Sequence, residues 1–343
     1  MCLAEKTTTS EPSRTSLPGG GKLFDHAGSV TTLPPSTTPD RLRLAFFGLP
    51  LAALLLERDG HDVVLCSVSR TDAPGLRRAR RLFEDRVLVR PDVQASTFRE
   101  RLEALEPDLV VSWFWTTRLP MKLVEIARLG GINVHPSLLP RHRGPDPTTW
   151  AILLGDEESG VTVHRLAEEY DSGNIIEREK ISIEPTWNAW QLARALDRPS
   201  LRVLRRTVQN LTTNGRLPEI PQDPALATDA PFLDDEASAI CWSWPTQHVL
   251  RHVRALAPAP GAWTEMNGSV VTVLRAAVAP VVPKVLRPGE ATVMDDQALV
   301  RTADGAIVLL QAEIDGEPAA APRLAELVRS HAQSAFDVQI SQE

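Results

Sequence analysis

The strongest constraint on the fold is a regular alternation of short apolar runs with helix-like segments in the first half of the chain. Buried-strand patterns occur at 42–47, 61–66 and 108–113, and helix-like patterns lie between them at 51–58 and 98–105. Strands that alternate with helices of this length form parallel sheets with helices packed on their faces. The sequence therefore predicts an α/β fold with an open, mostly parallel, Rossmann-like sheet.

The turn after the first predicted strand carries a single glycine, in Gly48-Leu49-Pro50. A dinucleotide site usually has three glycines in a G-x-G-x-x-G turn, because the backbone must approach the pyrophosphate closely. This turn lacks the other two glycines. The sequence therefore argues against a dinucleotide cofactor despite the Rossmann-like alternation.

Two polar segments flank the α/β pattern, which occupies residues 41–211. Residues 1–40 are rich in Ser, Thr, Pro and Gly without periodicity, and such a segment buries too little apolar area to offset its ordering entropy. We predict a disordered tail there, with a cleaved transit segment as the alternative. Residues 212–231 contain Asn214-Gly215 and several prolines, which predicts a linker.

After the predicted linker, residues 232–335 show a different pattern. One helix-like segment at 244–256 is followed by four short β-like runs, which Asn-Gly and Asp-Gly pairs separate. Short strands with such turns form small barrels or sandwiches. We therefore predict a small β-rich C-terminal domain.

Composition excludes several classes of protein. The chain of 343 residues has no run of eighteen apolar residues, so it is not predicted to span a membrane. Its N-terminus lacks the apolar stretch of a secretory signal, which predicts a cytoplasmic protein. Cys2, Cys66 and Cys241 lack metal-ligand spacing, so we expect no metal. The net charge of −7 argues weakly against nucleic acid as a partner.

The side chains best suited to chemistry are Asn133 and His135, at the end of a predicted strand. Alternate side chains of a strand share a face. An amide donor beside an imidazole can polarise a carbonyl and stabilise an oxyanion, and the imidazole can move a proton near neutral pH. The same pair could instead satisfy the backbone of the Pro-rich turn that follows, and the pattern alone does not decide between the two.

Asp171 lies in the turn-like segment 170–174, between two β-like runs. Taken alone, it is typical of a turn-forming aspartate. If the fold brings it to His135, its carboxylate could orient the imidazole, stabilise the charged ring or deprotonate an ammonium group through water.

These motifs resemble the signature of the tetrahydrofolate-dependent formyltransferases. The resemblance is carried by Asn133-Val134-His135-Pro136-Ser137-Leu138-Leu139-Pro140-Arg141-His142-Arg143-Gly144 with Pro147, and by Gly160-Val161-Thr162-Val163-His164 followed by Tyr170-Asp171-Ser172-Gly173-Asn174-Ile175. It extends from about Leu42 to beyond Gly316. Pro221-Gln222-Asp223 and the run from Arg254 to Ala262 resemble the methionyl-tRNA formyltransferase subgroup, which implies an OB-like barrel for the C-terminal domain.

The resemblance implies transfer of a formyl group from 10-formyltetrahydrofolate to a primary amine. Carried onto this sequence, Asn133 and His135 hold the formyl oxygen as it becomes an oxyanion. Asp171 keeps the histidine ready and helps the incoming ammonium group to lose its proton. The residues that the resemblance places around the folate, partly through backbone groups, are Ser137, Leu138, Leu139, Pro140, Arg118 and Leu119. The polarised formyl carbon needs no metal.

Four neighbouring residues receive other interpretations. Trp113 is predicted as a core residue and His164 as a structural histidine with its hydrogen bonds satisfied. His142 is predicted to lie on the surface. Arg143 occupies the Arg-Gly position of the signature, where it either binds an acceptor or holds the loop.

Two departures from the methionyl-tRNA subgroup bear on the acceptor. The segment 67–91 is short and lacks a lysine-rich element, and a solvated helix face explains its seven arginines as well as phosphate contacts do. Residues 232–343 contain eight basic and fourteen acidic side chains, whereas an RNA-binding barrel needs positive potential. We therefore expect a small-molecule or carrier-bound amine in specialised metabolism, such as an aminosugar, amino acid or peptide intermediate. Methionyl-tRNA is the alternative.

Three other functions are weaker. Hydrolysis of the folate to release formate fits poorly, since the deformylases of this family carry an N-terminal regulatory domain that forty residues cannot supply. The site residues leave transfer of another one-carbon unit, such as hydroxymethyl, open. A non-catalytic binding protein is disfavoured because the Asn, His and Asp set is complete.

Overall fold

The apolar runs of the N-terminal half form a sheet that is buried on both faces. The computed structural model describes residues 41–266, 268–283, 285–330 and 336–337, so the tail predicted at 1–40 lies outside the described residues. In strand β1 (Arg43–Gly48), Leu44 and Phe46 enter one apolar cluster, and Ala45 and Phe47 enter another. A strand covered on both sides needs apolar residues at consecutive positions.

Six further strands complete this sheet. They are β2 (Asp62–Val68), β3 (Val87–Val89), β4 (Leu109–Trp113), β5 (Gly131–His135), β6 (Glu158–Arg165) and β7 (Ile175–Ser182). The order across the sheet is β3-β2-β1-β4-β5-β6-β7. The pairs among β1 to β5 are parallel, whereas β6 and β7 pair antiparallel. The predicted mostly parallel sheet is confirmed.

Helices cover the two faces of the sheet. They are α1 (Pro50–Arg58), α2 (Leu76–Phe83), α3 (Ser96–Ala104), α4 (Met121–Val124), α5 (Pro147–Leu154) and α6 (Ala189–Asn214). Residues of α1, α2, α5 and α6 belong to the cluster that contains Phe46, and residues of α3 and α4 belong to the cluster that contains Phe47. This two-sided arrangement is the predicted Rossmann-like architecture.

Helix α6 is 26 residues long. It begins with a capping box, in which the Asn188 side chain accepts from the Gln191 backbone N–H and the Gln191 side chain accepts from the Asn188 backbone N–H. It ends at Asn214 because Gly215 adopts a left-handed conformation with φ of 70°. The linker predicted to begin at 212 therefore starts inside the helix. Within the described part of the chain, no helix combines the length and apolar character that crossing a bilayer requires.

The C-terminal part is an antiparallel sheet with three helices in its described residues. Its elements are α7 (Asp235–Ser238), α8 (Thr246–Leu256), β8 (Ala262–Met266), β9 (Ser269–Val278), β10 (Ala291–Met294), β11 (Gln297–Arg301), β12 (Ala306–Ile314), β13 (Glu317–Ala320), α9 (Ala321–Arg329) and β14 (Phe336–Asp337). The strand order is β10-β11-β12-β9-β8-β14, with β13 paired to β12. Val249 and Val253 of α8 share one apolar cluster with Val271 and Val273 of β9. The predicted β-rich domain is confirmed.

Candidate active site

The carboxyl end of β5 places two polar side chains on one face of the sheet. Asn133 and His135 are separated by one residue of this strand, so both project to the same side. The antiparallel neighbour β6 pairs His164 directly with Asn133. The Asn133 amide nitrogen lies 3.1 Å from His164 Nε2. Strand register thus brings a second histidine to a site where the sequence indicated only one.

Asp171 joins these side chains from the loop between β6 and β7. Its Oδ2 lies 3.4 Å from His135 Nδ1, and its Oδ1 lies 3.4 Å from His164 Nε2. Oδ2 also accepts a hydrogen bond of 2.9 Å from the Gly144 backbone N–H, and Oδ1 lies 3.5 Å from the Asn133 amide nitrogen. One carboxylate therefore contacts Asn133 and both imidazoles. Among the described residues, no group of three or more His, Cys, Asp or Glu side chains is arranged to hold a metal ion.

The Asp171 carboxylate is held in its ionised form. Its side chain is only 11% exposed, and burial alone would raise its pKa. The neighbouring His135 and His164 and the Gly144 N–H outweigh burial and lower the pKa of Asp171 to about 2. The site thus contains a fixed negative charge at neutral pH.

His135 is buried, and both of its ring nitrogens have partners. Nε2 lies 2.7 Å from the His142 carbonyl oxygen, which can only accept, so this nitrogen carries a hydrogen. Nδ1 faces Asp171. Burial lowers the pKa of His135 below its ordinary 6.5, against the opposing effects of Asp171 and the His142 carbonyl. The ring is therefore held neutral beside a carboxylate that is ready to stabilise its charged form.

His164 fixes the orientation of the Asn133 amide. Its Nδ1 lies 2.8 Å from the Arg165 carbonyl oxygen, so Nδ1 carries a hydrogen, and in the neutral ring Nε2 accepts from the Asn133 amide. The Asn133 NH₂ group therefore points one hydrogen at His164. Its second hydrogen has only the 3.5 Å contact with Asp171, which leaves it available to a ligand oxygen. His164 is a structural histidine as predicted, and what it positions is the site itself.

The prediction that His142 lies on the surface is wrong. The residue is 3% exposed, and its Nε2 lies 2.7 Å from the Asp156 carboxylate, which also accepts from Arg141 Nη2 at 2.8 Å. The His142 backbone has a left-handed φ of 58°, which turns its carbonyl oxygen towards His135. A hydrogen bond to a residue fourteen positions away therefore accompanies the burial of His142, and the local sequence around His142 does not indicate this contact.

A cavity of about 570 Å³ opens beside these residues. Asn133, His135, His164 and Asp171 all contribute to its wall. The rest of the lining is largely apolar and includes Phe114, Trp115, Leu119, Leu166 and Phe232. Binding pockets for small organic molecules commonly have this size and this mixture of apolar walls with a few polar groups.

The residues predicted to surround a folate fall into two sets. Arg118 and Leu119 line the cavity, and Arg118 Nη2 donates to Glu168 Oε1 at 2.7 Å. The second set, Ser137 to Pro140, is not part of the cavity lining. Ser137 is buried and donates to the Arg141 carbonyl, while the Leu139 backbone N–H donates to Thr162 Oγ1. Their contact with a ligand stays a prediction, and their present contacts brace the loop after β5.

The aromatic run that begins at the last residue of β4 contributes both to the core and to the cavity wall. Trp113 is 3% exposed, belongs to a core cluster and donates from Nε1 to Ser200 Oγ at 2.9 Å. The prediction that it is a core residue is confirmed. The next two aromatic residues, Phe114 and Trp115, line the cavity instead.

Residues 215–234 join α6 to α7 and are hereafter called the connector. The connector is hydrogen-bonded to the loop after β5 and to the start of β7. Thr228 and Ala230 exchange backbone hydrogen bonds of 2.8 and 2.6 Å with Arg143, and Ile220 exchanges two of 2.8 Å with Ile175. The Arg143 side chain donates to Gln222 Oε1 from both Nε and Nη2. Of the two interpretations of Arg143, these contacts favour a residue that holds the loop.

The connector carries a site residue to which sequence reasoning gave no role. Gln222 Nε2 donates to the backbone carbonyl oxygens of Asp171 and Gly173, at 2.7 and 2.8 Å. The sequence signal was the motif Pro221-Gln222-Asp223, which resembled the methionyl-tRNA subgroup but indicated no contact. The separation of 51 residues between Gln222 and Asp171 explains why no local pattern could reveal it.

Known proteins match both halves of the chain. The family model of formyl transferase matches residues 57–208, and the model of the formyl transferase C-terminal domain matches residues 233–326. A methionyl-tRNA formyltransferase of Syntrophus aciditrophicus is 32% identical over 306 residues, which cover 85% of this chain and 96% of that protein. A methionyl-tRNA formyltransferase of Bacillus licheniformis is 35% identical over 292 residues, covering 82% of this chain and 89% of that protein.

Solved structures share the fold at lower sequence identity. HypX from Aquifex aeolicus, in complex with tetrahydrofolic acid, has a TM-score of 0.59 and 21% identity. The match covers 84% of this chain and 48% of HypX, so this chain spans about half of that protein. An N-formyltransferase from Helicobacter canadensis, in complex with folinic acid and dTDP-3-aminofucose, has a TM-score of 0.58 and 16% identity, covering 78% of this chain and 98% of that one.

Proposed function

Since this chain belongs to the formyl transferase family, we propose that it transfers a formyl group from 10-formyltetrahydrofolate to a primary amine. The observation that carries the proposal is the convergence of Asn133, His135 and Asp171 on the wall of one cavity. The aromatic and aliphatic lining of that cavity suits the flat rings of a folate. Bound there, the folate would supply an electrophilic formyl carbon.

Asn133 and His135 stabilise the oxygen of the formyl group while the amine attacks its carbon. The second hydrogen of the Asn133 amide, whose contact with Asp171 Oδ1 is 3.5 Å long, donates to that oxygen as negative charge develops on it. His135 supplies a second hydrogen bond when its ring exchanges the His142 carbonyl for the formyl oxygen. An amide donor placed in this way contributes about 10²- to 10³-fold to the rate of acyl transfer.

His135 accepts the proton that the amine must lose, and Asp171 stabilises the charge that results. As the new C–N bond forms and the bond between the formyl carbon and the folate nitrogen breaks, one proton leaves the amine and one reaches the folate nitrogen. A neutral imidazole can accept the first proton, and the ionised Asp171 stabilises the charged ring that results. The low pKa of Asp171 keeps its carboxylate charged throughout.

For the acceptor, we propose a small-molecule or carrier-bound amine. Support comes from the net charge of −6 in residues 232–343, because a domain that follows an RNA backbone needs the opposite sign. Methionyl-tRNA is the second candidate, and the observation in its favour is the identity of 32% and 35% to two methionyl-tRNA formyltransferases over both halves of the chain.

Two incubations test these proposals. In the first, the enzyme and 10-formyltetrahydrofolate are mixed with charged initiator tRNA, and efficient formylation would reject the small-molecule acceptor. In the second, a cell extract is treated with enzyme and donor, and mass spectrometry searches for amines that gain one formyl group. Asp171→Asn enzyme serves as the control in both. Stoichiometric formate release without any acceptor would replace transfer by hydrolysis.

A further inference from the structure

The connector holds both loops of the active site. Its backbone pairs with Arg143 in the loop after β5 and with Ile175 at the start of β7. The Thr228 side chain accepts from the His142 backbone N–H at 2.9 Å. These contacts join three segments that are far apart in sequence. The Asp171 loop and the His142 carbonyl therefore depend on the chain that leads into the C-terminal domain.

Gln222 lies at the centre of this arrangement, and its amide is fully used. Its NH₂ group donates to the carbonyl oxygens of Asp171 and Gly173, and its oxygen accepts two hydrogen bonds from Arg143, at 3.0 and 2.7 Å. A glutamine amide has two donor hydrogens and two acceptor lone pairs. All four are therefore satisfied within the site, and the three partner residues all belong to the two loops that carry His142 and Asp171.

The Asp171 loop needs such external support. Asp171 has a left-handed φ of 51°, a backbone conformation that few non-glycine residues adopt. A Cβ atom at Gly173 would lie 2.0 Å from the Arg165 carbonyl oxygen. The backbone of the loop therefore packs too closely against β6 for any side chain at this position. Gln222 bonds to the carbonyls on both sides of Ser172. It therefore fixes the direction in which the Asp171 side chain leaves the backbone.

We propose that Gln222 is a positioning residue for Asp171. Its amide holds the aspartate backbone so that the carboxylate reaches His135, His164 and the Gly144 N–H together. The active site is thereby made competent by the connector rather than by the α/β domain alone. The inference rests on the proposed transfer of a formyl group, because it assigns Gln222 to the residue that assists proton removal.

Two substitutions test the role of Gln222. Gln222→Met keeps the length of the side chain and removes all four hydrogen bonds, while Gln222→Glu keeps an acceptor for Arg143 but places oxygen against two carbonyls. We expect both to lower kcat by about 10- to 100-fold, since misplacing a catalytic group by about 1 Å can cost 10²-fold. The KM for the formyl donor should change by less than about 3-fold. Thermal unfolding identifies the variants that fold.

The matched control is Asp223→Ala. Asp223 is the adjacent connector residue, and its side chain caps a short turn by accepting from the Ala225 backbone N–H. The substitution disturbs the connector without touching the Asp171 loop, so kcat should stay within about 2-fold of the parent value.

A double-mutant cycle separates positioning from general destabilisation. In an Asp171→Asn background, the carboxylate that Gln222 positions has already been lost, so Gln222→Met should lower kcat by less than about 2-fold. Equal losses in the two backgrounds, or a kcat within 2-fold of the parent in both Gln222 variants, would overturn the proposal.

Hydrogen exchange provides a readout that does not depend on the reaction. Amides in the segment 166–175 should exchange faster in Gln222→Met than in the parent and in Asp223→Ala, because the loop has lost two of its backbone partners. If the parent enzyme transfers no formyl group, the proposed function fails, and this measurement still tests Gln222. Unchanged exchange in this segment would overturn the positioning role.

Discussion

At the scale of single residues, one carboxylate organises the site through two imidazoles with different tasks. His164 is fixed by the Arg165 carbonyl and turns the Asn133 amide hydrogen towards the cavity. His135 faces the other oxygen of Asp171 and is the ring able to take up a proton. The Asn133 amide, which donates the hydrogen bond, and the His135 ring, which accepts the proton, therefore both contact the Asp171 carboxylate.

Removal of the Asn133 amide tests its role at the formyl oxygen. We expect Asn133→Ala to lower kcat by about 10²- to 10³-fold, because the developing negative charge loses a hydrogen-bond donor. A formylation assay measures the rate. Asn210→Ala, on the exposed side of α6, is the matched control and should have parental kinetics. A loss of less than about 10-fold in Asn133→Ala would contradict the role of the amide.

Protonation of His135 gives a second prediction. Burial lowers its pKa, so the ring should titrate below 6.5 and lose its proton before the pH rises to neutrality. Asp171 opposes this shift, and Asp171→Asn should therefore lower the pKa of His135 further. Titration of the histidine ring signals by NMR measures both values, and His135→Gln identifies the signal. A titration above 6.5, or one that Asp171→Asn leaves unchanged, would contradict this account.

At the scale of secondary-structure elements, α6 is hydrogen-bonded to β4, the strand beside β5. Trp113 ends β4, which pairs with β5 one residue from His135 in register. Its Nε1 donates to Ser200 Oγ in the middle of α6, and both residues are buried. This hydrogen bond anchors the end of β4 to α6, and β5 is in turn paired with β4.

Ser200→Ala measures this link between helix and strand. The substitution leaves the Trp113 N–H buried without its acceptor, which should lower the free energy of unfolding by about 1–3 kcal/mol. Denaturant unfolding measures the change. In a Trp113→Phe background, the donor is already absent and the same substitution should cost much less. Equal costs in the two backgrounds would show that this hydrogen bond is not the cause.

The parts of the site that could be predicted are those whose contacts join residues close together in the sequence. Strand alternation placed Asn133 and His135 on one face without any further information. The contact between His164 and Asn133 could not be predicted, because neither strand alone determines the register of β5 with β6. His142 was assigned to the surface because Asp156, which buries it, lies in a separate element. Gln222 had no predicted role because its partners are about fifty residues away.

At the scale of the whole molecule, charge is divided between the two halves. The C-terminal residues 232–343 carry a net charge of −6. In the N-terminal half, α2 exposes four arginines on one short helix, at positions 77, 78, 80 and 81. The chain thus combines a short basic helix with an acidic C-terminal segment, and the acidic segment supports the proposal of a small-molecule or carrier-bound acceptor.

Ionic strength reports on the class of acceptor. An enzyme that makes six to ten phosphate contacts loses about 10³- to 10⁵-fold in affinity between 50 and 200 mM salt. For a small-molecule or carrier-bound amine, we expect kcat/KM to fall by less than about 10-fold over this range, because few charges are neutralised on binding. Steady-state kinetics at both salt concentrations measures the change. A fall of 10³-fold would point to nucleic acid.

The pairing of the connector with Arg143 and Ile175 also defines what can be exchanged between proteins. A recombination point directly after α6 would sever the catalytic loops from the strand-like segment that fixes them, although every residue of the sheet would be present. A graft of a foreign C-terminal domain should instead be joined beyond Ala230, which contributes the last of these backbone hydrogen bonds. The part of the chain that should be kept together in such an exchange is therefore the sheet with its connector.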